Sequence, residues 1–201
     1  MSAAEWDQRY AADDYHYGTA PNAWLISQSW RLPRSGAALA LADGEGRNGV
    51  WLAQQGLQTT SLDQSAAGLA KAQHLAQQRG VVLRTVQVDL ADWAWPESTY
   101  AVIASIFVHL PDALRRRTHA GITRALRPGG LLILEAFTPA QLTCASGGPR
   151  DLALLYTETL LREDFAALEL LEVLSGEVLL DEGHGHRGPG QVLRLLARRR
   201  P

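Results

Sequence analysis

What most constrains this chain of 201 residues is an alternation: short apolar runs that stop at an Asp or a Gly take turns with segments of helical periodicity. The runs Ala37–Leu41, Gln58–Leu62, Val81–Val88, Tyr100–Val108 and Leu131–Phe137 are short and bounded by turn residues, so each reads as a strand. Helical patterns fall between them. Gly49 to Gln55 closes at Gly56, Ser65 to Arg79 places apolar residues at 66, 69, 70, 72 and 76, and Pro111 with Asp112 opens a helix running to Leu126. Such an alternation builds a parallel sheet covered by helices on both faces. After Phe137 the pattern changes. Thr138 to Arg150 is a loop, Thr159 to Ala166 a short helix, Ala167 to Leu174 fits helix or strand, and Val192 to Ala197 is a final strand. The glycine-rich stretch Asp181 to Gly190 predicts an antiparallel hairpin carrying a long loop. The expected architecture is therefore α/β: a doubly wound, Rossmann-like, mostly parallel sheet of seven strands ending in an antiparallel hairpin. It is expected to be a single domain over 1–201, with an aromatic docking segment at 1–30, a ligand-binding core at 37–137 and a hairpin region at 138–201.

Composition removes several chemistries. Cys144 is the one cysteine and Lys71 the one lysine, so multi-cysteine metal sites are excluded and Schiff-base chemistry has a single candidate. No metal site is expected. Lys71 does not follow a glycine-rich loop or precede Ser or Thr, which excludes a triphosphate-binding P-loop. A net charge of −2 argues against a nucleic-acid partner, and no run reaches the length of a membrane span. The first residues show no basic segment leading into an apolar one, so a soluble, cytoplasmic protein is expected.

The first strand leads through Asp43-Gly44-Glu45-Gly46-Arg47-Asn48-Gly49 into a helix, and Asp63 ends the second strand. Glycines at 44, 46 and 49 fit the loop that lets a ligand approach backbone closely, and an acid at the next strand end suits the two hydroxyls of a ribose. Charge separates the possible ligands. Asp43 and Glu45 would repel a dinucleotide pyrophosphate but attract the sulfonium and ammonium groups of S-adenosylmethionine. A short-chain dehydrogenase is disfavoured again because no tyrosine stands four residues before Lys71.

In their order, the glycine loop, Asp63, Asp89-Leu90, Ile106-Phe107-Val108-His109-Leu110-Pro111 and Leu126-Arg127-Pro128-Gly129-Gly130 resemble a class I S-adenosylmethionine-dependent methyltransferase. Trp6-Asp7-Gln8-Arg9-Tyr10, Tyr17 to Asn22, Gly44 to Asn48 and Asp181 to His186 are similar to its tellurite-resistance and thiopurine-methyltransferase-like small-molecule branch. One departure stands out: Ala40 and Ala42 occupy places where Asp and Gly are common, and the carboxylate appears at Asp43 instead.

The resemblance implies that Asp63 holds the ribose hydroxyls, with Gln64, Asp89 and Leu90 around the adenine. Asp43, Gly44, Glu45, Gly46 and Asn48 would surround the methionine end, and Ser105 and Phe107 would line the methyl channel. Trp6, Arg9 and Tyr17 would form a lid that excludes water. On the acceptor side, His109, His186 and Arg187 are the candidate catalytic residues, with Glu135 as a further proton carrier; His186 with Arg187 could bind an oxyanion such as tellurite or selenite, with Arg9 or Arg47 assisting. The resemblance thus implies methyl transfer to a small-molecule acceptor. A nicotinamide-dependent reductase and a non-catalytic S-adenosylmethionine or S-adenosylhomocysteine binder are the alternatives.

Overall fold

In the computed structural model, which describes residues 1–201, the inner strand β1 (Ala37–Leu41) is buried on both faces. Around it lie β2 (Gln58–Asp63), β3 (Arg84–Gln87), β4 (Tyr100–Ile106), β5 (Leu126–Phe137), β6 (Glu169–Glu182) and β7 (His186–Arg198), in the sheet order β3-β2-β1-β4-β5-β7-β6. Pairing is parallel from β3 through β5 and antiparallel at β5–β7 and β7–β6, so β7 alone runs against the other six. The strand order reverses at β1, where open α/β sheets form a ligand crevice beyond the carboxyl ends of their strands.

Side-chain alternation explains why both faces carry helices. Leu39 and Leu41 of β1, Leu132 and Leu134 of β5, and Leu193 and Leu195 of β7 point into one core; Ala38, Ala40, Ile133 and Leu196 point into the other. Helices α3 (Arg47–Gln54), α4 (Ala66–Gln78), α5 (Asp112–Ala125) and α6 (Glu158–Asp164) cover the sheet, and α1 (Ala3–Arg9) and α2 (Ala23–Ser27) belong to the aromatic N-terminal segment. No helix is long and apolar enough to cross a membrane.

Several expectations change: the fourth strand stops at Ile106, the fifth starts at Leu126 and takes in the turn at 127–130, and the last runs from His186 to Arg198. Helix α3 begins two residues before Gly49, because Gly46 takes a left-handed conformation (φ +90°) that turns the chain straight into it. The third strand shrinks from Val81–Val88 to Arg84–Gln87: β3 is an edge strand, and Val82 is 91% exposed. The late glycine-rich segment is not a long loop. Ladder pairing between β6 and β7 continues to Glu182 and His186, leaving a turn of three residues in which Gly183 adopts φ +64°. The segment 167–174, open between helix and strand, joins β6 from Glu169 onward.

Candidate functional site

The N-terminal segment lies across the carboxyl ends of the strands and is held there by Lys71. Its ammonium group donates to the carbonyls of Ala12 (2.8 Å), Asp14 (2.5 Å) and Tyr10 (3.4 Å) and pairs with Glu45 Oε1 at 2.6 Å. The lone lysine therefore ties the glycine loop to the segment above it. Trp6 stacks on Tyr10 at 5.4 Å, the Arg9 guanidinium lies 4.9 Å from the Trp6 ring centroid, and Arg9 Nη1 donates to the Tyr17 hydroxyl. The expected lid residues Trp6, Arg9 and Tyr17 thus form one connected group. Tyr10, which belongs to the same motif and has no role assigned from sequence, is the buried member: a Cβ on Gly44 would lie 2.6 Å from its hydroxyl.

The glycine loop is shaped from within as well as for a ligand. A Cβ on Gly46 would lie 2.5 Å from that of Ala72 on α4, so only glycine lets loop and helix pack this closely. Asp63, buried at the end of β2, accepts from the backbone N–H groups of Gly44 and Ser65 at 2.8 Å each. Burial raises its pKa, against those backbone hydrogen bonds. Each carboxylate oxygen keeps a lone pair, so a sugar hydroxyl can still donate to it. Gln64 follows directly, with its side-chain amide donating to the Met1 carbonyl. Asp89 stands exposed just past β3, and Leu90 packs partly against the larger core cluster. Ser105 is buried near the end of β4, and Phe107 just beyond it has the left-handed φ of +55°.

Several side chains expected to meet a ligand are engaged elsewhere. Asp43 does not face the loop exterior: its carboxylate turns inward to accept from Gly49 N (3.1 Å) and Ser61 Oγ (2.8 Å), and burial pushes its pKa up to about 7. Glu45 is neutralised by Lys71, and Tyr17 N donates to it at 3.4 Å. Asn48 accepts from Asn22 N at 3.0 Å, fixing the N-terminal segment to α3. These commitments revise the charge argument. A buried carboxylate at Asp63 and the rings of Trp6, Tyr10 and Tyr17 remain, a set that suits a cationic, hydroxyl-bearing nucleoside better than a pyrophosphate.

Beyond β4 and β5 the acceptor-side candidates separate. His109 is no free base: its Nδ1 donates to the Leu154 carbonyl (2.7 Å), Phe137 N donates to its Nε2 (3.2 Å), and burial lowers its pKa to about 4. His186 is buried, with its ring against Tyr17 (4.6 Å), Phe107 (4.5 Å) and Phe137 (5.1 Å). Burial lowers its pKa too, so a neutral imidazole directs Nδ1–H toward Glu182 at 3.4 Å and leaves Nε2 as the nitrogen with a lone pair. Arg187 is exposed. Strand alternation turns it away from the side on which His186 packs, so the two cannot grip one oxyanion as a pair. His184 pairs with Asp14 at the surface, at 2.8 Å.

A buried polar network, largely missed from sequence, replaces that pair. Glu135, fully buried, accepts from Arg194 Nε (2.8 Å) and from Asn22 Nδ2, which also donates to Glu182 at 2.9 Å. Arg47 Nη2 donates to Glu182 at 2.8 Å. Burial alone would raise the Glu182 pKa, but the His186 hydrogen bond and the Arg47 charge hold it at about 2. The network joins the N-cap of α2 to α3, β5, β6 and β7, with partners up to 160 residues apart. In the sequence, Asn22, Arg47, Glu182 and His186 all fall inside the motifs of the resemblance, and Arg47, Glu135 and His186 are acceptor-side candidates; the pairing among them is what the sequence does not show.

A family model described as a methyltransferase domain matches residues 38–130. A glycine/sarcosine N-methyltransferase of Halorhodospira halochloris is 38% identical, over 52% of this chain. The chain spans only 41% of the length of that curated relative. Among solved structures, the N-methyltransferase NodS of Bradyrhizobium japonicum, in complex with S-adenosylhomocysteine, superposes with a TM-score of 0.75, at 18% identity and 98% and 97% coverage of this chain and that one. TehB of Haemophilus influenzae gives a TM-score of 0.75 at 20% identity, covering 97% of this chain and 66% of that one. These structures share the fold.

Proposed function

We propose that this chain is an S-adenosylmethionine-dependent methyltransferase whose acceptor is a small amine. The observation that carries the reading is the buried Asp63 carboxylate at the end of β2, beside the glycine loop and under the aromatic N-terminal segment. Asp63 would hold the ribose, Gln64, Asp89 and Leu90 would lie around the adenine, and Trp6, Tyr10 and Tyr17 would exclude water. When bound, the cofactor supplies an electrophilic methyl group; the protein's task is to hold an acceptor in line with it. His186, neutral and with its ring packed among Tyr17, Phe107 and Phe137, would take the proton that an ammonium acceptor must lose. The match to an N-methyltransferase supports an amine over a chalcogen oxyanion, as does the exposure of Arg187 on the far side of its strand.

Titration calorimetry with S-adenosylhomocysteine and with NAD tests the cofactor; binding of NAD alone sinks the reading and favours a reductase. An acceptor screen over amines, thiols, selenite and tellurite, following S-adenosylhomocysteine release, tests the acceptor. A tight binder inert across that panel is a non-catalytic binding protein.

A further inference from the structure

The amino ends of the parallel strands, at the end of the sheet opposite the glycine loop, hold a second cleft of about 310 Å³. Arg31, Arg127 and Arg198 line it together with the aliphatic side chains of Ala101, Leu131 and Leu171, and no carboxylate is among its lining residues. Three separate segments bring the arginines there. Arg31 ends the short helical turn Ser29–Arg31 after α2, Arg127 lies at the start of β5, and Arg198 closes β7, whose antiparallel course returns it opposite Leu131.

Their donors are incompletely used. Arg31 Nη2 pairs with Glu172 at 2.5 Å and the guanidinium stacks 4.1 Å from the Trp30 ring centroid, yet its Nε is buried with no hydrogen-bond partner. Arg198 directs Nε and Nη2 at a single oxygen of Glu169, at 3.0 and 2.7 Å, which leaves Nη1 free. Arg127 makes no ion pair and no side-chain hydrogen bond; its guanidinium lies beside Gly36, where an added Cβ would be 3.5 Å from Nη1. Neighbouring Arg199 shows the structural use open to an arginine at this end, donating Nη1 to the carbonyls of Arg124 and Leu126 at 2.8 and 2.5 Å. Arg127 has no such use. Two glutamates thus answer three arginines, and folded proteins rarely keep a buried donor unmet without a reason.

We propose that this cleft binds a small phosphate monoester, its dianion gripped by Arg127, Arg31 Nε and Arg198 Nη1 and its organic part resting on Ala101, Leu131 and Leu171. Guanidinium groups match phosphate oxygens in geometry as well as charge, and three of them arriving from three segments suit a group with three terminal oxygens and two charges better than a carboxylate with two oxygens and one. The cleft is separated from Asp63 and the glycine loop by the length of the strands, so the inference stands apart from the methyltransferase reading.

The test is calorimetry on the full chain with phenyl phosphate, benzoate and phenol, above the second phosphate pKa of about 6. Phenyl phosphate should bind saturably and more tightly than benzoate, and phenol should not bind. Arg127→Gln and Arg31→Lys, which keeps a cation for Glu172 but removes Nε, should each weaken phenyl phosphate about tenfold, the scale of one charge-assisted hydrogen bond. Arg79→Gln, on the exposed end of α4, should change nothing, and saturating S-adenosylhomocysteine should not compete. The proposal is overturned by absence of saturable phenyl phosphate binding at millimolar concentration, by benzoate binding as tightly, or by an unchanged affinity in Arg127→Gln. An equal loss in Arg79→Gln would reduce the effect to general surface charge, and competition by S-adenosylhomocysteine would move the phosphate to the other end of the sheet; either result also overturns it.

Discussion

Removing the Lys71 ammonium should release the N-terminal segment without dissolving the sheet. In Lys71→Met the stem remains while three carbonyls at Tyr10, Ala12 and Asp14 lose their donor and Glu45 loses its counterion. The Glu45 side chain is 3% exposed and the Lys71 side chain 17%, so this pair is largely out of water. Breaking a buried pair from one side costs about 3–5 kcal/mol, because the charge left behind has no partner. Lys71 is partly wet, which places the expected loss at the lower end, about 3 kcal/mol. For a chain of this size each kcal/mol shifts Tm by about 2–4 °C, so Lys71→Met should melt roughly 6–12 °C below wild type. Adding Glu45→Gln removes the stranded charge and should recover part of that loss. Chemistry offers a second readout, since an amine-reactive acylating reagent can label only Lys71 and the chain's amino terminus. Labelling of Lys71 in the wild type should be slow and should slow further when S-adenosylhomocysteine binds beneath the segment. A Lys71→Met protein that melts within about 2 °C of wild type, below the shift expected from even one kcal/mol, would refute the clamp, as would rapid labelling of native Lys71.

Other outcomes follow from single positions. Asp63→Asn should weaken S-adenosylhomocysteine binding by about 1–3 kcal/mol, the worth of hydrogen bonds to a charged group, as read by calorimetry; unchanged affinity would mean the ribose lies elsewhere. Ala42 holds φ +46°, costing about 1–2 kcal/mol for an L-residue, so Ala42→Gly should leave chemical-denaturation stability unchanged or higher, where an ordinary exposed Ala→Gly lowers it. Gly46→Ala should fail to fold or lose stability sharply, since its Cβ would overlap Ala72; near-native melting would contradict the packing described. His109 is neutral in the fold because burial lowers its pKa from 6.5 to about 4. The unfolded chain takes up the proton first, so the stability owed to the neutral ring is present above about pH 6.5 and is lost as the pH falls to about 4, on the order of 3 kcal/mol. Denaturant titrations of wild type and His109→Gln should converge over that window; a constant difference would show that the ring is not held neutral.

The sequence by itself determined the layered architecture, because periodicity and turn residues are local. A five-residue apolar run ending in a glycine loop has few ways to be anything but an inner strand, and Gln58–Leu62 or Ser65–Arg79 carry their own boundaries in Asp63, Ser65 and Gly80. It also placed Asp63, Gln64, Asp89 and Ser105 at strand ends, since a strand end is a position along the chain. Only the tertiary structure decided which way side chains turn and what they meet. Asp43 and Glu45 look alike from their neighbours, yet one is drawn inward by Ser61 from β2 and the other is paired by Lys71 from α4. His186 and Arg187 are adjacent in sequence, and the ladder of β7 turns one inward and leaves the other exposed. The lone lysine, which in the sequence only excluded chemistries, became the clamp of the N-terminal segment once α4 carried it there. Arg47, Asn22, Glu135, Glu182 and Arg194 form one polar network only because five separate parts of the chain converge, and pairing at such distances leaves no periodic trace in the chain.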